Sequence, residues 1–406
     1  MSWFVAIGGL AFLVLIHEAG HFFTALALGM RPRRFYVGFP PAVVKTVRNG
    51  IEYGVGAIPL GGYVKIPGMH RPAPSDLDVH LSAAVHEAPA LSGPVERMKR
   101  KLGRGEFELG PEFEALEACI RKAELSAGAR RAAERGLAEL RDGLGADAYW
   151  RARTWKRVAV IFAGPGTNLV FAVLLLALVF MIGVRTATLT VHEVNPASPA
   201  DLAGLKPGDR VIGIDGKRVT DFDDVFVEIQ DANGKPVDLL VQRGGRRLSL
   251  TLTPTYYYGQ NWAVGFRPAA RTERYGPVEA VGLALDRTWE VTKAIGVSFG
   301  RLARGQGREQ ISSPVGITRV SSEAVKTDFR VYLQLLAFIS LSLALLNLLP
   351  LLPLDGGHIA FSIIEGVRRR AVRREVYERV SIVGIALVLM LFFIGLSNDI
   401  GGSGPG

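Results

Sequence analysis

Four long apolar segments dominate the hydropathy pattern of the chain. They cover about residues 3–30, 158–184, 331–349 and 380–396. An α-helix needs about 20 residues to cross the apolar core of a bilayer, which is about 30 Å thick. The pattern therefore predicts an α-helical membrane protein with about four transmembrane helices.

Basic residues cluster at one end of each span. Three arginines at 31–34 follow the first span, four basic residues at 151–157 precede the second, and five arginines at 368–374 separate the third from the fourth. Basic loops stay on the cytoplasmic side of a membrane. We therefore expect residues 31–157 and 356–379 in the cytoplasm and residues 185–329 on the opposite side.

In the first part of the loop after the first span, apolar and polar residues alternate as they do in β-strands. Residues 51–56 and 63–66 are typical of short strands, and residues 57–62, rich in glycine, indicate a bend between them. We expect residues 31–67 to form a β-hairpin region. It is either an ordinary surface hairpin or one that dips toward the membrane and pairs with an unwound substrate segment.

Residues 68–157 form a charged insert rich in Ala, Glu and Arg. Its second half predicts helices at 112–125 and 130–144, whereas four prolines interrupt its first half. Its three histidines are scattered over sequence that we expect to be irregular, so they do not predict a metal site. We expect a solvated helical element.

Residues 185–255, after the second span (158–184), alternate short apolar strands with turns. Strands are predicted at 191–194, 210–214, 236–242 and 247–252, and helices at 198–205 and 221–231. This order resembles a PDZ domain, in particular the circularly permuted kind attached to bacterial proteases. We expect an extracytoplasmic α+β domain that either binds substrate tails at an exposed sheet edge or keeps bulky ectodomains away from the membrane.

The remaining segments complete the predicted organisation. Residues 277–302 predict an amphipathic helix, which lies either along the outer membrane face or between the PDZ-like domain and the membrane. The predicted boundaries are 1–30 for the first span, 256–329 for the linker with this helix, 330–353 for the third span, 354–379 for the basic loop, 380–397 for the fourth span and 398–406 for the tail.

Composition agrees with a membrane protein that has soluble loops. Of the 406 residues, 49% are hydrophobic, and the formal net charge is +10. In such a protein, excess positive charge favours contact with anionic membrane lipid, and no aromatic-interleaved basic patch indicates nucleic-acid binding. The single cysteine, Cys119, excludes an intrachain disulfide.

His17, Glu18 and His21 form a His-Glu-x-x-His pattern inside the first apolar segment. Residues four apart share one face of a helix, so the two imidazoles fit two ligand positions of a tetrahedral Zn²⁺. Glu18 can take a proton from a water molecule beside the metal and pass it to a leaving amine. Ionisable side chains at membrane depth are rare and usually functional. The pattern predicts a catalytic zinc site with Glu18 as general base.

A catalytic zinc needs a third protein ligand, and Asp355 is the candidate. It follows a run with two prolines and precedes two glycines, and it is the only carboxylate at this depth in the later spans. Two alternatives stay open: Asp355 as a helix N-cap or turn residue, and His358 as a rival ligand. We favour His358 as a residue that supports the ligands, because Gly356 and Gly357 make a continuous helix there doubtful.

Two asparagines add polar groups at membrane depth. Asn347 can hydrogen-bond the substrate backbone or satisfy carbonyls freed by the nearby prolines. Asn168, in the motif Gly-Pro-Gly-Thr-Asn that opens the second span, can orient substrate near the metal or form an interhelical hydrogen bond. We expect both to contact substrate.

These motifs together resemble the site-2 protease family of intramembrane zinc metalloproteases, most closely the bacterial regulator-of-sigma-E protease type. They occur in family order over most of the chain: His-Glu-x-x-His at 17–21, Gly-Ala-Ile-Pro-Leu-Gly-Gly-Tyr-Val-Lys at 56–65, Gly-Pro-x-x-Asn at 164–168, the PDZ-like segment, Ser-Pro-Val-Gly-Ile at 313–317 and the 347–358 run. Two departures are the long 68–150 insert and the single PDZ-like domain, where some relatives have two.

The resemblance implies zinc on His17, His21 and Asp355, with Glu18 as the base. It implies that Asn347 and the hairpin residues lie near the substrate; Gly61, Gly62 and Tyr63 are the hairpin candidates. The implied substrates are single-span proteins of the bacterial inner (plasma) membrane, either anti-sigma factors or remnant signal peptides, cleaved within the span.

Three other functions are compatible with parts of the sequence. Another type of membrane zinc protease would take its carboxylate ligand from a soluble helix. A non-catalytic scaffold would use the PDZ-like domain to hold partners and would need no metal. A transporter with a polar intramembrane site is disfavoured, because the two halves show no paired repeats with broken helices.

Overall fold

The computed structural model describes residues 2–257, 261–308, 311–372 and 374–401. The chain divides into two compact units. Met1–Leu176 and Ala284–Gly406 form one, here called the membrane unit, and Ala177–Leu283 form the other, here called the sheet unit.

The helices that belong wholly or partly to the membrane unit are, in chain order, α1 Ser2–Ala27, α2 Pro74–Glu87, α3 Ser92–Gly103, α4 Gly110–Lys122, α5 Ala127–Leu144, α6 Thr154–Ile182, α9 Pro277–Ala303, α10 Pro314–Thr327, α11 Phe329–Asn347, α12 Asp355–Arg368 and α13 Arg374–Ile400. Four of the described helices are long and apolar enough to cross a membrane, namely Ser2–Ala27, Thr154–Ile182, Phe329–Asn347 and Glu375–Ile400. The prediction of four apolar helices is thereby confirmed. The third ends at Asn347, before the predicted limit of 353, because the prolines at 350 and 353 cannot continue a helix.

A small sheet follows α1, formed by β1 Arg34–Arg48 and β2 Ile51–Lys65 and here called the hairpin sheet. Its tight turn is Asn49-Gly50, where both residues have positive φ, as a two-residue hairpin turn requires. Residues 34–37 pair with 52–55 on one side and with 62–65 on the other. The predicted hairpin of 51–56 with 63–66 is therefore wrong, because residues 34–37 lie between these two segments.

The insert is more helical than predicted. Helices α2 to α5 pack around one apolar core that includes Leu81, Met98 and Leu116. The prediction that the first half is irregular is wrong, since Pro74 and Pro94 lie in the first turns of α2 and α3, where a missing N–H is tolerated. The 112–125 and 130–144 helices correspond to α4 and α5.

The sheet unit contains an antiparallel sheet with the strand order β10-β3-β4-β6-β7, and β5 pairs with β4. Its elements are β3 Val184–Val194, α7 Pro199–Leu202, β4 Arg210–Ile214, β5 Lys217–Arg218, α8 Phe222–Asp231, β6 Val237–Arg243, β7 Arg246–Leu252, β8 Thr255–Tyr257, β9 Asn261–Ala263 and β10 Phe266–Glu273. The four predicted strands and two predicted helices are present. The predicted boundary at 255 is wrong, because β10 forms one edge of the same sheet.

Two helices lie in the segment predicted as a linker. Helix α9 agrees with the predicted amphipathic helix at 277–302. Helix α10 was not predicted. Ser313 caps its N-terminus, and the Asp399 carboxylate accepts hydrogen bonds from the backbone N–H groups of Ser313 and Gly316.

Asp209 gives a test of the sheet unit. It is 1% exposed, and it accepts two hydrogen bonds of 2.7 Å from Arg243 and one of 2.8 Å from the Lys206 N–H. We expect Asp209→Asn to destabilise this unit by about 2–3 kcal/mol, because hydrogen bonds to a charged partner are lost in a buried place. Hydrogen exchange of β4 and β6 amides in the full-length protein measures this. The exposed Glu193–Arg267 pair provides the control, since Glu193→Gln should change stability by less than about 1 kcal/mol.

The same carboxylate predicts a pH dependence. Burial raises the pKa of Asp209, but the hydrogen bonds from Arg243 and Lys206 lower it more, so the pKa lies below its ordinary value. Asp209 therefore contributes its full stability above about pH 4, the pKa of an unfolded Asp, and loses it as the pH falls through the folded pKa. The difference between wild type and Asp209→Asn should shrink in that acidic range; a constant difference would contradict the assignment.

Candidate metal centre

Three side chains from two distant helices meet at one point in the membrane unit. His17 and His21 lie one turn apart on α1, 8% and 6% exposed, with 3.2 Å between their Nε2 atoms. The Asp355 Oδ2 atom lies 3.2 Å from His17 Nε2 and 3.4 Å from His21 Nε2. Among the described residues, these three form the one group of His, Cys, Asp or Glu with the spacing of a metal site.

Hydrogen bonding indicates which atoms carry lone pairs toward this point. His21 Nδ1 lies 2.9 Å from the Val160 carbonyl oxygen and donates to it, which leaves Nε2 as an acceptor in the neutral ring. Asp355 Oδ2 is buried and has no hydrogen-bond partner. A buried carboxylate oxygen facing the unprotonated Nε2 of His21 is unfavourable unless a cation lies between them.

The spacing fits zinc. Ligand distances of about 2.0–2.2 Å to a tetrahedral Zn²⁺ place neighbouring ligand atoms about 3.3–3.6 Å apart. The three separations between donor atoms here are 3.2, 3.2 and 3.4 Å. Two imidazoles and one carboxylate also form a donor set typical of catalytic zinc, which keeps a fourth position open.

Glycines let α6 approach α1 at this level. A Cβ atom on Gly164 would lie 2.2 Å from His21 Nε2, and one on Gly20 would lie 2.4 Å from the Ala163 carbonyl oxygen. Only residues without a Cβ allow these contacts. The α6 backbone therefore forms one wall of the site, and its Val160 carbonyl orients His21.

The non-helical segment between α11 and α12 determines where Asp355 lies. Helix α11 ends at Asn347, and α12 begins at Asp355 with Leu354 as its N-cap, without a side-chain capping bond. The alternative of Asp355 as an N-cap is therefore wrong, and its carboxylate is free to face the histidines. A Cβ on Gly356 would lie 2.2 Å from the Leu348 carbonyl oxygen, so this glycine allows the tight return of the chain.

Glu18 lies beside the cluster and outside the group of converging donor atoms. The backbone of Gly62 packs against it: a Cβ on Gly62 would lie 2.2 Å from Glu18 Cγ and 3.1 Å from its Oε1. The hairpin sheet thus reaches the site, which agrees with a hairpin near the metal rather than an ordinary surface hairpin.

His358 takes no part in the three-residue group. Its Nδ1 forms a hydrogen bond of 2.5 Å with the Tyr377 hydroxyl of α13. The expectation of a broken helix at Gly356 and Gly357 is wrong, since α12 runs without interruption from Asp355 to Arg368. His358 therefore faces a tyrosine of the next helix instead of replacing Asp355.

The residues predicted to contact substrate occupy different surroundings. Asn347 is the last residue of α11 and is partly exposed. Gly61 has a φ of +129° and packs against the Phe39 ring, and Tyr63 stacks edge-on near Tyr36, with ring centroids 6.3 Å apart. Asn168 is fully buried, and neither atom of its amide has a hydrogen-bond partner.

Helix register places Asn168 near His17. Packing of α1 on α6 is antiparallel, with His21 against Gly164 and Phe12 near Phe171. One turn beyond Gly164 on α6 is Asn168, and one turn before His21 on α1 is His17. The Nδ1 atom of His17 also lacks a hydrogen-bond partner.

Sequence reasoning missed two contributors to the site. Val160 acts through its backbone carbonyl, for which no side chain provides a signal. Gly164 lies in the motif that opens the second span, but its contact with His21 depends on the tertiary register of α1 and α6.

Comparison with known proteins agrees with this geometry. The family model for peptidase family M50 matches residues 5–391. A protein of Rhizobium meliloti is 30% identical over 407 residues, covering 96% of this chain and 94% of its own, and one of Brucella suis is 29% identical, covering 96% and 93%; both are named as zinc metalloproteases. Metalloprotease MmpA of Caulobacter vibrioides is 28% identical over 418 residues, covering 96% and 93%.

The apolar helices and the converging donor atoms define a membrane metalloenzyme. The family match extends over nearly the whole chain, and the relatives carry zinc metalloprotease names. The chain belongs to peptidase family M50, the site-2 protease family, and is a zinc-dependent membrane metalloprotease.

Gly164 provides a test of the metal centre. We expect Gly164→Ala to lower zinc affinity by about 10- to 100-fold, the range for lost support of a ligand, because the new Cβ would displace the His21 ring. Zinc content under competition with a chelator measures this. Gly166→Ala is the matched control, since its Cβ would meet only the edge of the Phe162 ring, at 3.2 Å. Equal zinc affinities of the two variants would contradict the assigned geometry.

Proposed function

We propose that this metalloprotease cleaves peptide bonds inside the membrane-spanning segments of single-span proteins. The observation that carries the proposal is the meeting of His17, His21 and Asp355 on helices α1 and α12, because α1 is itself apolar enough to span a membrane. A site built on such a helix acts on a substrate within the bilayer.

The side chains of the site have different roles in hydrolysis. His17, His21 and Asp355 hold the zinc ion, which when bound polarises a carbonyl group and lowers the pKa of water. Glu18 accepts the proton of the attacking water and later donates it to the leaving amine. Its place beside the donor atoms but outside their group supports this role.

The hairpin sheet presents the substrate. Among the described pairings, residues 62–65 have a strand neighbour on one side only, residues 34–37, and Gly62 packs against Glu18. An unwound substrate segment can add to the open edge, which replaces the hydrogen bonds it loses by leaving the helical state. Gly61, Gly62 and Tyr63 lie along this edge, and Asn347 ends the helix that leads to Asp355.

Asn168 has a different role in this proposal. Its complete burial supports orientation of the site over contact with substrate. The register of α1 and α6 brings its amide to the level of His17, whose Nδ1, like both atoms of the amide, has no hydrogen-bond partner. A rotation of this amide would let its oxygen accept a hydrogen bond from His17 Nδ1 and so orient the imidazole of a metal ligand.

Glu18→Gln tests the role of the base. We expect the variant to keep its zinc and to lose cleavage by at least about a hundredfold, because an amide cannot accept the proton. Zinc analysis is combined with cleavage of a synthetic single-span peptide in proteoliposomes. Asp355→Asn, the comparison, should lose zinc as well as cleavage. Cleavage at the wild-type rate by Glu18→Gln would exclude Glu18 as the base.

The sheet unit is assigned as a circularly permuted PDZ-like domain. Its antiparallel sheet has β10 at one edge, and Phe266 of β10 contacts Phe222 of α8 with ring centroids 5.9 Å apart. A groove between an edge strand and a helix is where PDZ domains add a peptide strand. We infer that an extended substrate tail binds along β10.

The basic residues that flank the spans support an assignment of each loop to one side of the membrane. Residues 31–157 and 356–379 then lie in the cytoplasm, the sheet unit lies outside, and the enzyme resides in the bacterial inner membrane. Helix α9 exposes Val278, Leu285 and Trp289 and is suited to the outer lipid surface. The proposed substrates are anti-sigma factors or remnant signal peptides.

Substrates with different extracytoplasmic ends test whether the sheet unit binds an extended tail. A substrate with an unstructured extracytoplasmic tail should be cleaved at least about tenfold faster than one with a folded domain at that end, because only an extended chain can add to a strand edge. A free peptide that copies the tail should inhibit cleavage. Absence of inhibition, with the size effect retained, would mean that the unit only excludes bulk.

A further inference from the structure

The insert is a module with its own core and a narrow base. Every buried member of its apolar core lies between Leu77 and Leu140. At the base, the Tyr149 N–H donates to the Pro67 carbonyl oxygen at 2.9 Å, and the Trp150 N–H donates to that of Gly68 at 3.1 Å. The chain therefore leaves the hairpin sheet and returns to it at one point, as in inserted domains.

One carboxylate of this module binds the two chain segments at which the hairpin sheet begins and ends, which lie side by side. Asp142 of α5 is 8% exposed; its Oδ1 accepts from Arg33 Nε and its Oδ2 from Lys65 Nζ, both at 2.8 Å. Arg33 directly precedes β1, and Lys65 ends β2. The Arg33 N–H also donates to the Lys65 carbonyl oxygen at 2.7 Å, and the Arg33 guanidinium reaches Asp147 at 2.9 Å. These contacts are here called the Asp142 clamp.

The clamp connects to the active site through one short strand segment. In an extended chain, the Cα atoms of Lys65 and Gly62 lie about 10 Å apart. Gly62 packs against the Glu18 side chain at the other end. A shift of this segment along 34–37 would move Gly62 relative to Glu18 and would move the edge at which substrate is proposed to add.

We propose that Asp142 is a positioning residue for peptide hydrolysis, and that the insert acts on catalysis by fixing residues 62–65 against Glu18. The inference rests on the proposed role of Glu18 as the base. It assigns a function to the insert.

The clamp can be broken without loss of the fold. Asp142 is not a member of the apolar core of the insert, and the side chains of Arg33 and Lys65 are 33% and 27% exposed, so both cations can turn toward water. Asp142→Asn keeps the shape of the side chain and removes its charge. The main effect should therefore fall on the position of the strand rather than on folding of the insert.

The experiment compares two aspartates of the same insert in the full-length protein. Asp142→Asn breaks the clamp. Asp78→Asn, the matched control, removes an exposed carboxylate that pairs only with Lys99 at 2.6 Å within the insert. For each variant, kcat and KM are measured with a synthetic single-span peptide in proteoliposomes, together with zinc content and hydrogen exchange of amides 62–65.

We expect Asp142→Asn to lower kcat by at least about tenfold, since displacement of a catalytic group by about 1 Å can lower a rate a hundredfold. Zinc content should stay unchanged, amides 62–65 should exchange faster, and Asp78→Asn should match wild type. A normal kcat, or a reduced kcat without faster exchange, would overturn the proposal. So would an equal loss in Asp78→Asn.

A second variant covers the case in which Asp142→Asn fails to fold. Lys65→Gln breaks the same contact from the strand side and keeps the Arg33–Asp142 pair, so it should lower kcat with the same change in exchange; a normal kcat would reject the proposal. The exchange measurement does not involve Glu18. Cleavage by Glu18→Gln would thus reject the assignment of the base, whereas unchanged exchange of 62–65 would reject the clamp.

Discussion

The membrane unit depends on holding a carboxylate oxygen within 3.4 Å of two imidazole nitrogens inside apolar helices. Without a cation, this oxygen is a buried acceptor that faces the acceptor Nε2 of His21, which is unfavourable. Zinc makes the same arrangement attractive, so metal binding and the packing of α1, α6 and α12 stabilise one another. The hydrogen bond from His21 to the Val160 carbonyl contributes by fixing the ring before the metal binds.

Several walls of this site are formed by backbone atoms that approach closely at glycines. At Gly164, Gly356 and Gly62, a Cβ atom would lie 2.2 Å from His21, from the Leu348 carbonyl and from Glu18, respectively. Gly164 and Gly62 let a backbone pack against His21 and Glu18, and Gly356 lets the chain turn back tightly at Asp355. Helices in lipid gain little from hydrophobic burial against one another, so small residues at contacts are how they pack closely.

The sequence predicted the chemistry of the site better than its surroundings. His17 and His21 are encoded by local helical spacing, and Asp355 stands out because carboxylates are rare beside apolar spans. The contact of Gly164 with His21 and of Gly62 with Glu18 depends on tertiary register, which no local pattern encodes. The hairpin sheet was mispredicted because residues 34–37 pair on both sides, although Asn49-Gly50 carried the signal of its turn.

The hairpin sheet runs from the partly exposed Arg33 and Lys65 to Gly62 beside Glu18, and this explains why it is fastened at one end. Its β2 strand carries four glycines, at 54, 56, 61 and 62, and glycine-rich strands specify their register weakly. A slip of residues 62–65 would alter the surface beside Glu18, and no ion pair can be placed cheaply at membrane depth to prevent it. At the basic, water-facing end, by contrast, Arg33 and Lys65 can pair with a carboxylate at small desolvation cost. The strand is thus held by polar contacts at Lys65, where they are stable. Its other end, at Gly62, contacts Glu18 in the active site.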